Sequence, residues 1–304
     1  MRVLCVWDTA GVYVPIAEWL HKRGVFTRIL MRRAWDPYGQ TAMSPHARIL
    51  DSVEDFLTAV VQEILRSKPT IIHVNSIYEY LPLIRAAAPL TPIVYQYHGG
   101  DVRERIAAGF GPHYQTQLAD KVIVSTHDLS AYGEWYDRPI SDAFYYRGGR
   151  VPNTALMIYV QYVIIDQRQF AKDLCRKRGL DLTIIDRSKG EGVPYEKMPE
   201  FLSKFEYYLD FKGHIEKIVL SKTALEALAC GCKVIQDAEP DRVITDAREF
   251  VRNNRPVDYA MLYTRVRLKY RSMLRRALVL ARSLLFTRKG WYLIRILVTS
   301  VVRK

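Results

Sequence analysis

Short apolar runs rich in β-branched residues recur along this chain, separated by stretches with helical periodicity. Few folds can be built from that alternation. Residues 3–7, 26–31, 70–75, 92–97 and 121–125 are such runs, and each closes on polar or glycine-bearing residues. Runs apolar at nearly every position belong in sheets covered on both faces, so parallel strands joined by crossover helices are expected. Residues 52–66 read as one of those helices, opened by the polar pair Asp51-Ser52. Ligands of such sheets bind at the carboxyl ends of the strands, where the polar closures fall.

The pattern repeats on a smaller scale past Pro152-Asn153, a pair that suits a joint because Pro is disfavoured inside regular elements. Residues 157–165, 182–185, 207–211 and Lys233–Gln236 read as strands there, and 168–179 and 223–230 as helices. Three segments are therefore expected: a first α/β domain over 1–153, a smaller one over 154–256, and a tail over 257–304. At 304 residues the chain is long enough for two cores.

Charge is distributed unevenly. Of 45 Lys/Arg, 12 fall in residues 261–304, where no Asp or Glu occurs. That leaves 33 basic against 32 acidic residues before position 261, so the net +13 belongs to the tail and says nothing of the body. On a helix, Leu262, Val266, Tyr270, Met273, Ala277, Ala281 and Leu284 share one face, opposite Arg265, Arg271, Arg275 and Arg282. The apolar segment 291–302 is too short to span a bilayer. Unopposed charge beside an apolar stripe points to an anionic membrane surface as partner of 258–304, the alternative being packing on the first domain. No nucleic-acid recognition module is visible, and no nucleic-acid partner is expected.

Residues 220–236, LSKTALEALACGCKVIQ, carry the strongest local signal. Ser221, Lys222 and Thr223 open a short helical run that Gly231 stops. A helix start of this kind can turn free N–H groups and the positive end of the helix dipole toward an anion, with Lys222 adding charge. Thr223 and Glu226 also stand in capping-box spacing, so Glu226 could simply tie the helix start. Cys230 and Cys232 lack the partners of a metal site, and no D-x-D pair stands out, so no metal is expected. Four cysteines in this length make no disulfide framework, and Arg2 with the early Asp8 does not read as a signal peptide. A reducing cytoplasm is the expected location, with peripheral attachment to a membrane through the tail.

The segment SKTALEALACGCKVI resembles the donor-binding helix of glycosyltransferase family 4 and its GT-B relatives. The resemblance continues through DTAGVYVPIAEWLHKRG, VYQYHGGDVRE, ADKVIVSTHDL, VPN and VPYEKMPEFLSKFEYYLDFKG, in the family's order. It implies two Rossmann-like domains facing a central cleft and sugar transfer with retention. The donor would be a nucleotide-diphospho-sugar, and no cofactor would be needed. By the same resemblance Glu226 contacts the donor ribose, the Ser221–Leu225 amides lie near the diphosphate, and Gly11 approaches the donor phosphate. His98 is delivered to the donor sugar with Asp101 beside it. The first domain would take the acceptor, a glycan or lipid. Two departures are visible. The acidic residue expected eight positions before Glu226 is Ile218, with Glu216 two residues away, and the family's Arg/Lys pair is missing early in the second domain. Arg147 and Arg150 of YRGGR are candidates for that charge. An inactive GT-B-like scaffold or nucleotide-binding regulator is the rival reading, and a nucleotide-sugar epimerase a further one.

Overall fold

A computed structural model of the chain describes residues 1–159, 166–211, 219–248 and 250–268. They form two units, Met1–Pro139 with Asn253 onward, and Ile140–Arg252.

The first unit contains β1 (Arg2–Val6), α1 (Val14–His21), β2 (Phe26–Arg32), β3 (Ala47–Leu50) and α2 (Val53–Ser67). It continues with β4 (Ile71–Asn75), α3 (Leu81–Ala87), β5 (Ile93–Tyr97), α4 (Arg103–Ala107), β6 (Lys121–Val124) and β7 (Glu134–Trp135). These strands pair in parallel in the order β3-β2-β1-β4-β5-β6-β7, so the order reverses direction between β1 and β4. Local rules account for the helices. In α2, the Ser52 hydroxyl accepts from the Asp55 N–H at 2.9 Å, and Glu54 and Asp55 complement the dipole of the first turn. Phe56, Leu57, Val60, Val61 and Ile64 then turn one face to the sheet.

The second unit contains β8 (Val151–Tyr159), α5 (Arg168–Arg178), β9 (Asp181–Asp186), α6 (Met198–Ser203), β10 (Phe205–Asp210), α7 (Lys222–Ala229) and β11 (Lys233–Gln236). Its strands are also parallel, in the order β11-β10-β8-β9. Pro152-Asn153, expected to separate the domains, lies inside β8. The strand tolerates it because the register slips there: Val151 pairs with Phe205, and the next pair is Ala155 with Tyr207. The bulged residues find other partners. The Asn153 N–H donates to Glu206 Oε2 at 2.8 Å, and the Thr154 hydroxyl accepts the Glu206 N–H at 3.2 Å. The chain instead passes between units at 139/140 and returns at 252/253. The part of the expected strand 157–165 beyond Tyr159 lies outside the described residues.

The return carries α8 (Pro256–Leu268) onto the first unit. Tyr259, Leu262, Tyr263 and Val266 are buried against α1 and the sheet, sharing a core with Val14, Ile16, Leu20 and Ile71. Their spacing is that of one helix face, and each such side chain contributes roughly 1.5–3 kcal/mol on burial. Hydrogen bonds fix the helix further. The Tyr259 hydroxyl donates to the Asp137 carbonyl at 2.9 Å and accepts from Gln96 Nε2 at 3.1 Å, and Tyr263 Oη lies 2.8 Å from His73 Nδ1. The expectation of a membrane-facing stripe over 258–304 is therefore corrected for residues 258–268, because Leu262 and Val266 are already covered by the protein's own core. Arg265 is not unopposed either: it pairs with Glu134 at 3.1 Å and bonds the Tyr136 hydroxyl. Residues 269–304 lie outside the described residues. Among the described residues no helix is long and apolar enough to cross a membrane.

Candidate functional site

The second unit brings the start of α7 to the end of its sheet. The backbone N–H of Ser221 donates to Asp210 Oδ2 at 2.9 Å, tying the helix start to the carboxyl end of β10. Asp210 is itself buried and accepts from Gln236, whose Nε2 lies 3.2 Å away. The sheet order reverses between β8 and β10, so α7 begins at the place where open α/β sheets bind ligands. Ser221 and Thr223 are half-buried, while Lys222 and Glu226 are buried.

The cap differs from the capping-box spacing. Ser221 is the N-cap, its Oγ accepting from the Ala224 N–H at 3.0 Å, so Glu226 lies too far into the helix to reach back. Glu226 does something else. Its Oε1 accepts from the Tyr195 hydroxyl at 2.5 Å and lies 3.2 Å from Lys222 Nζ, which also donates to Tyr195 at 2.9 Å. A buried carboxylate and ammonium thus neutralise one another around a phenol. Pairing is the condition for burying either charge. Lys222, expected to add positive charge to an anion site, has its ammonium engaged in this triad.

Arg147 and Arg150 are at the other end of α7. Arg150 Nη2 donates to the Gly231 carbonyl at 2.6 Å, with its guanidinium over the Tyr146 ring. The Arg147 N–H donates to Ser203 Oγ at 3.1 Å, and its charge acts on the thiol of Cys230. Ser221 and Gly231 bracket the eight residues of α7, a rise of about 12 Å. The structure therefore does not gather these arginines with the Ser221–Thr223 start. Leu225 packs in the core of the unit. Ile218 and Glu216 lie outside the described residues.

In the first unit, His98 follows β5 and is half-buried. Its Nε2 stands 2.9 Å from Asn75 Oδ1, and its Nδ1 stands 2.9 Å from Ser125 Oγ. Asn75 directs its amide nitrogen to the Trp7 carbonyl at 2.6 Å, so Oδ1 is the atom facing His98. A carbonyl oxygen only accepts, so Nε2 carries the proton and Nδ1 takes the Ser125 hydroxyl. Burial, with His73 and Arg138 nearby, holds this imidazole well below the usual histidine range. It is a neutral ring with both nitrogens occupied. Asp101 folds back on the same loop: its carboxylate accepts the N–H groups of His98, at 3.1 Å, and Gly99, at 2.8 Å. Burial raises its pKa against those bonds. Gly99 has φ +115, a backbone conformation that strains any residue with a side chain, so the loop favours glycine there. Structure thus brings His98 and Asp101 together.

Gly11 sits in a buried turn at φ +65 between β1 and α1. Beside it Asp8, also buried, accepts the Tyr13 N–H at 2.7 Å and the Thr41 hydroxyl at 3.2 Å. A carboxylate consequently already occupies the start of α1, and Pro15 removes one of its donors.

The carboxyl ends of β1 and β4, where the first sheet reverses, open into a cavity of about 630 Å³. Trp7, Trp35, Tyr78 and His113 contribute aromatic faces, and Asp101 contributes a carboxylate. Of these only Asp101 was singled out by sequence reasoning. The available signal was the aromatic and charged density of the stretch 32–35, Arg-Arg-Ala-Trp, directly after a strand. Tyr195, central to the buried triad, was legible only as an aromatic before a Met-Pro step.

No protein-family model and no curated protein matches this chain. Solved structures do. An alpha-glucosyltransferase (AGT) in complex with UDP is similar with a TM-score of 0.55 at 13% identity, over 88% of this chain and 94% of that one. An alpha-glucosyltransferase with UDP and a 13-mer DNA containing an HMU base gives 0.53 at 13%, over 91% and 94%. The UDP-GlcNAc 2-epimerase from Methanocaldococcus jannaschii gives 0.51 at 9%, over 87% and 100%. The fold is accordingly the parallel-sheet α/β fold seen in GT-B glycosyltransferases. At these identities the likeness speaks to fold, which one architecture lends to both transferases and an epimerase.

Proposed function

We propose that this protein is a glycosyltransferase that moves a sugar from a nucleotide-diphospho-sugar to an acceptor. The observation that carries this reading is the start of α7, anchored to the carboxyl end of β10 at the reversal point of the second sheet. N–H groups and the helix dipole there would stabilise the negative charge that develops on the diphosphate as the sugar departs. Lys222, Tyr195 and Glu226 would position that turn through their buried triad, rather than touch the ribose as the family resemblance implies. The alpha-glucosyltransferase structures hold UDP, which makes UDP-sugars the first donors to test. Retention, independence from a divalent metal and a hexose donor are proposals resting on the family 4 resemblance alone. His98 would contribute as a neutral hydrogen-bonding residue, since a ring held well below the ordinary histidine pKa carries no charge near neutrality.

Thr223→Glu tests the site. A carboxylate in the first turn complements the dipole, so the helix should be no less stable. The same charge repels a diphosphate. UDP and UDP-sugars should raise the melting temperature of the wild type and not that of the variant, and transfer from the donor should fall with it. An equal shift in both proteins would remove α7 from the site. Stabilisation without transfer or donor hydrolysis would favour the nucleotide-binding scaffold, and release of an epimerised UDP-sugar would favour the epimerase.

A further inference from the structure

Trp7 and Ser76 follow directly on β1 and β4, the two strands that meet where the first sheet reverses. Both adopt left-handed backbone, φ 70 and φ 59. Lys68, also at positive φ, is a helix C-cap, and Asn153 and Asn253 are residues that tolerate the region. Neither excuse covers Trp7 or Ser76. A bulky tryptophan rarely adopts this region, and such strain gathers where function requires a geometry. It is held here by the Trp7 N–H donating to the Leu30 carbonyl at 2.9 Å, and by the Ser76 N–H donating to the Gln96 carbonyl at 3.1 Å.

Both residues line the 630 Å³ cavity, whose size is within the range of ligand pockets, about 300–1,000 Å³. The cavity offers flat apolar surface. Trp35 is 58% exposed and braced by Trp7, ring centroids 5.8 Å apart. Tyr78 stacks on His113 at 3.4 Å. It also offers hydrogen bonding: Arg32 and Arg105 donate, Glu79 and Glu104 accept, and the Arg32 Nε is buried without a partner among the described residues. Its formal charge is negative, three carboxylates with Asp101 against two guanidiniums. His113 adds no positive charge, because burial and Arg105 hold its ring below the usual range.

We propose that this cavity binds the acceptor as an uncharged saccharide, its ring face on Trp35 and Tyr78 and its hydroxyls on Arg32 and Glu79. The inference rests on the transferase reading and deepens it. Apolar C–H faces of a sugar ring match aromatic planes, whose area is large at small entropic cost. Hydroxyl groups pair with both donors and acceptors, which a mixed guanidinium–carboxylate rim supplies. A polyanion such as DNA binds mainly through basic side chains, and this rim carries more carboxylates than cations. The acceptor therefore differs in class from the DNA seen with one alpha-glucosyltransferase.

The full chain is titrated with neutral trisaccharides of glucose, mannose or N-acetylglucosamine, and with a short single-stranded DNA. Tryptophan emission and saturation-transfer NMR are read together. Residues 140–252 contain no tryptophan, so the emission carries no signal from the second unit. At least one trisaccharide should bind with a Kd on the order of 1 mM. Trp35→Ala and Glu79→Gln should each weaken the NMR signal at least ten-fold, and the DNA should not compete. The inference is overturned by the absence of trisaccharide binding up to about 10 mM, ten times that Kd. Competition by DNA, or binding untouched in both variants, overturns it equally. The UDP-induced melting shift, read on the same samples, depends on α7 and should survive Trp35→Ala. A retained shift without saccharide binding sinks this inference alone, and a lost shift with saccharide binding sinks the donor reading alone.

Discussion

Replacing His73 should change how the first unit responds to acid. His73 is fully buried on β4, its Nδ1 2.8 Å from the Tyr263 hydroxyl of α8, and burial pushes its pKa down to about 3. In the unfolded chain the same ring titrates near 6.5. Because the folded value is depressed, its contribution to stability is complete above 6.5 and is lost as pH falls toward the folded value. Over that window the unfolded chain takes up a proton that the fold refuses, and each pH unit costs about 1.4 kcal/mol. Between about pH 7.5 and about pH 5 the loss from His73 alone is about 2 kcal/mol, and any folded pKa below about 4 gives the same figure. Phe at this position keeps the ring and removes the proton site. Urea unfolding is followed across this pH range by tryptophan emission, to which residues 140–252 contribute nothing. His73→Phe should lower stability at pH 7.5 by about 1 kcal/mol for the lost hydrogen bond, yet lose about 2 kcal/mol less than wild type on acidification. His98, depressed chiefly by burial, stays in both proteins. Tyr263→Phe should retain the wild-type pH slope. Equal slopes in wild type and His73→Phe would refute the reasoning.

The buried triad at α7 makes a second, sharper prediction. Lys222→Met leaves the Glu226 carboxylate buried and without its ammonium, which should cost about 3–5 kcal/mol, and adding Glu226→Leu should recover most of it; denaturant midpoints of the two variants check the pair. For the tail, truncation after Leu268 leaves Tyr259 and Tyr263 in the core, so the melting temperature should hold. Flotation with vesicles containing anionic lipid should then lose any binding that residues 269–304 provide, and undiminished binding would reject a membrane role for them.

Much of the framework could be read from residues alone because its causes are local. Strand and helix follow the periodicity of apolar residues, and the stretches at 52–66 and 168–179 became α2 and α5 within a residue or two. Parallel pairing followed from strands apolar at nearly every position. The helix start at Ser221 was visible because capping chemistry and the glycine stop lie within eleven residues of sequence. The short edge pieces β3 and β7 were not, since four- and two-residue strands carry too little pattern.

What sequence alone decided, then, was the two-sheet α/β plan and the position of the α7 turn, both set by neighbours in the chain. Tertiary structure alone decided the rest. Glu226 became a buried ion-pair member because Tyr195, 31 positions away, reaches it. Arg150 went to the far end of α7 because the Gly231 carbonyl was free to accept there. The apolar stripe of α8 turned inward because α1 and His73 offered it a core. Charge and amphipathicity in a sequence state that a face must be covered; which surface covers it depends on groups brought close only by folding.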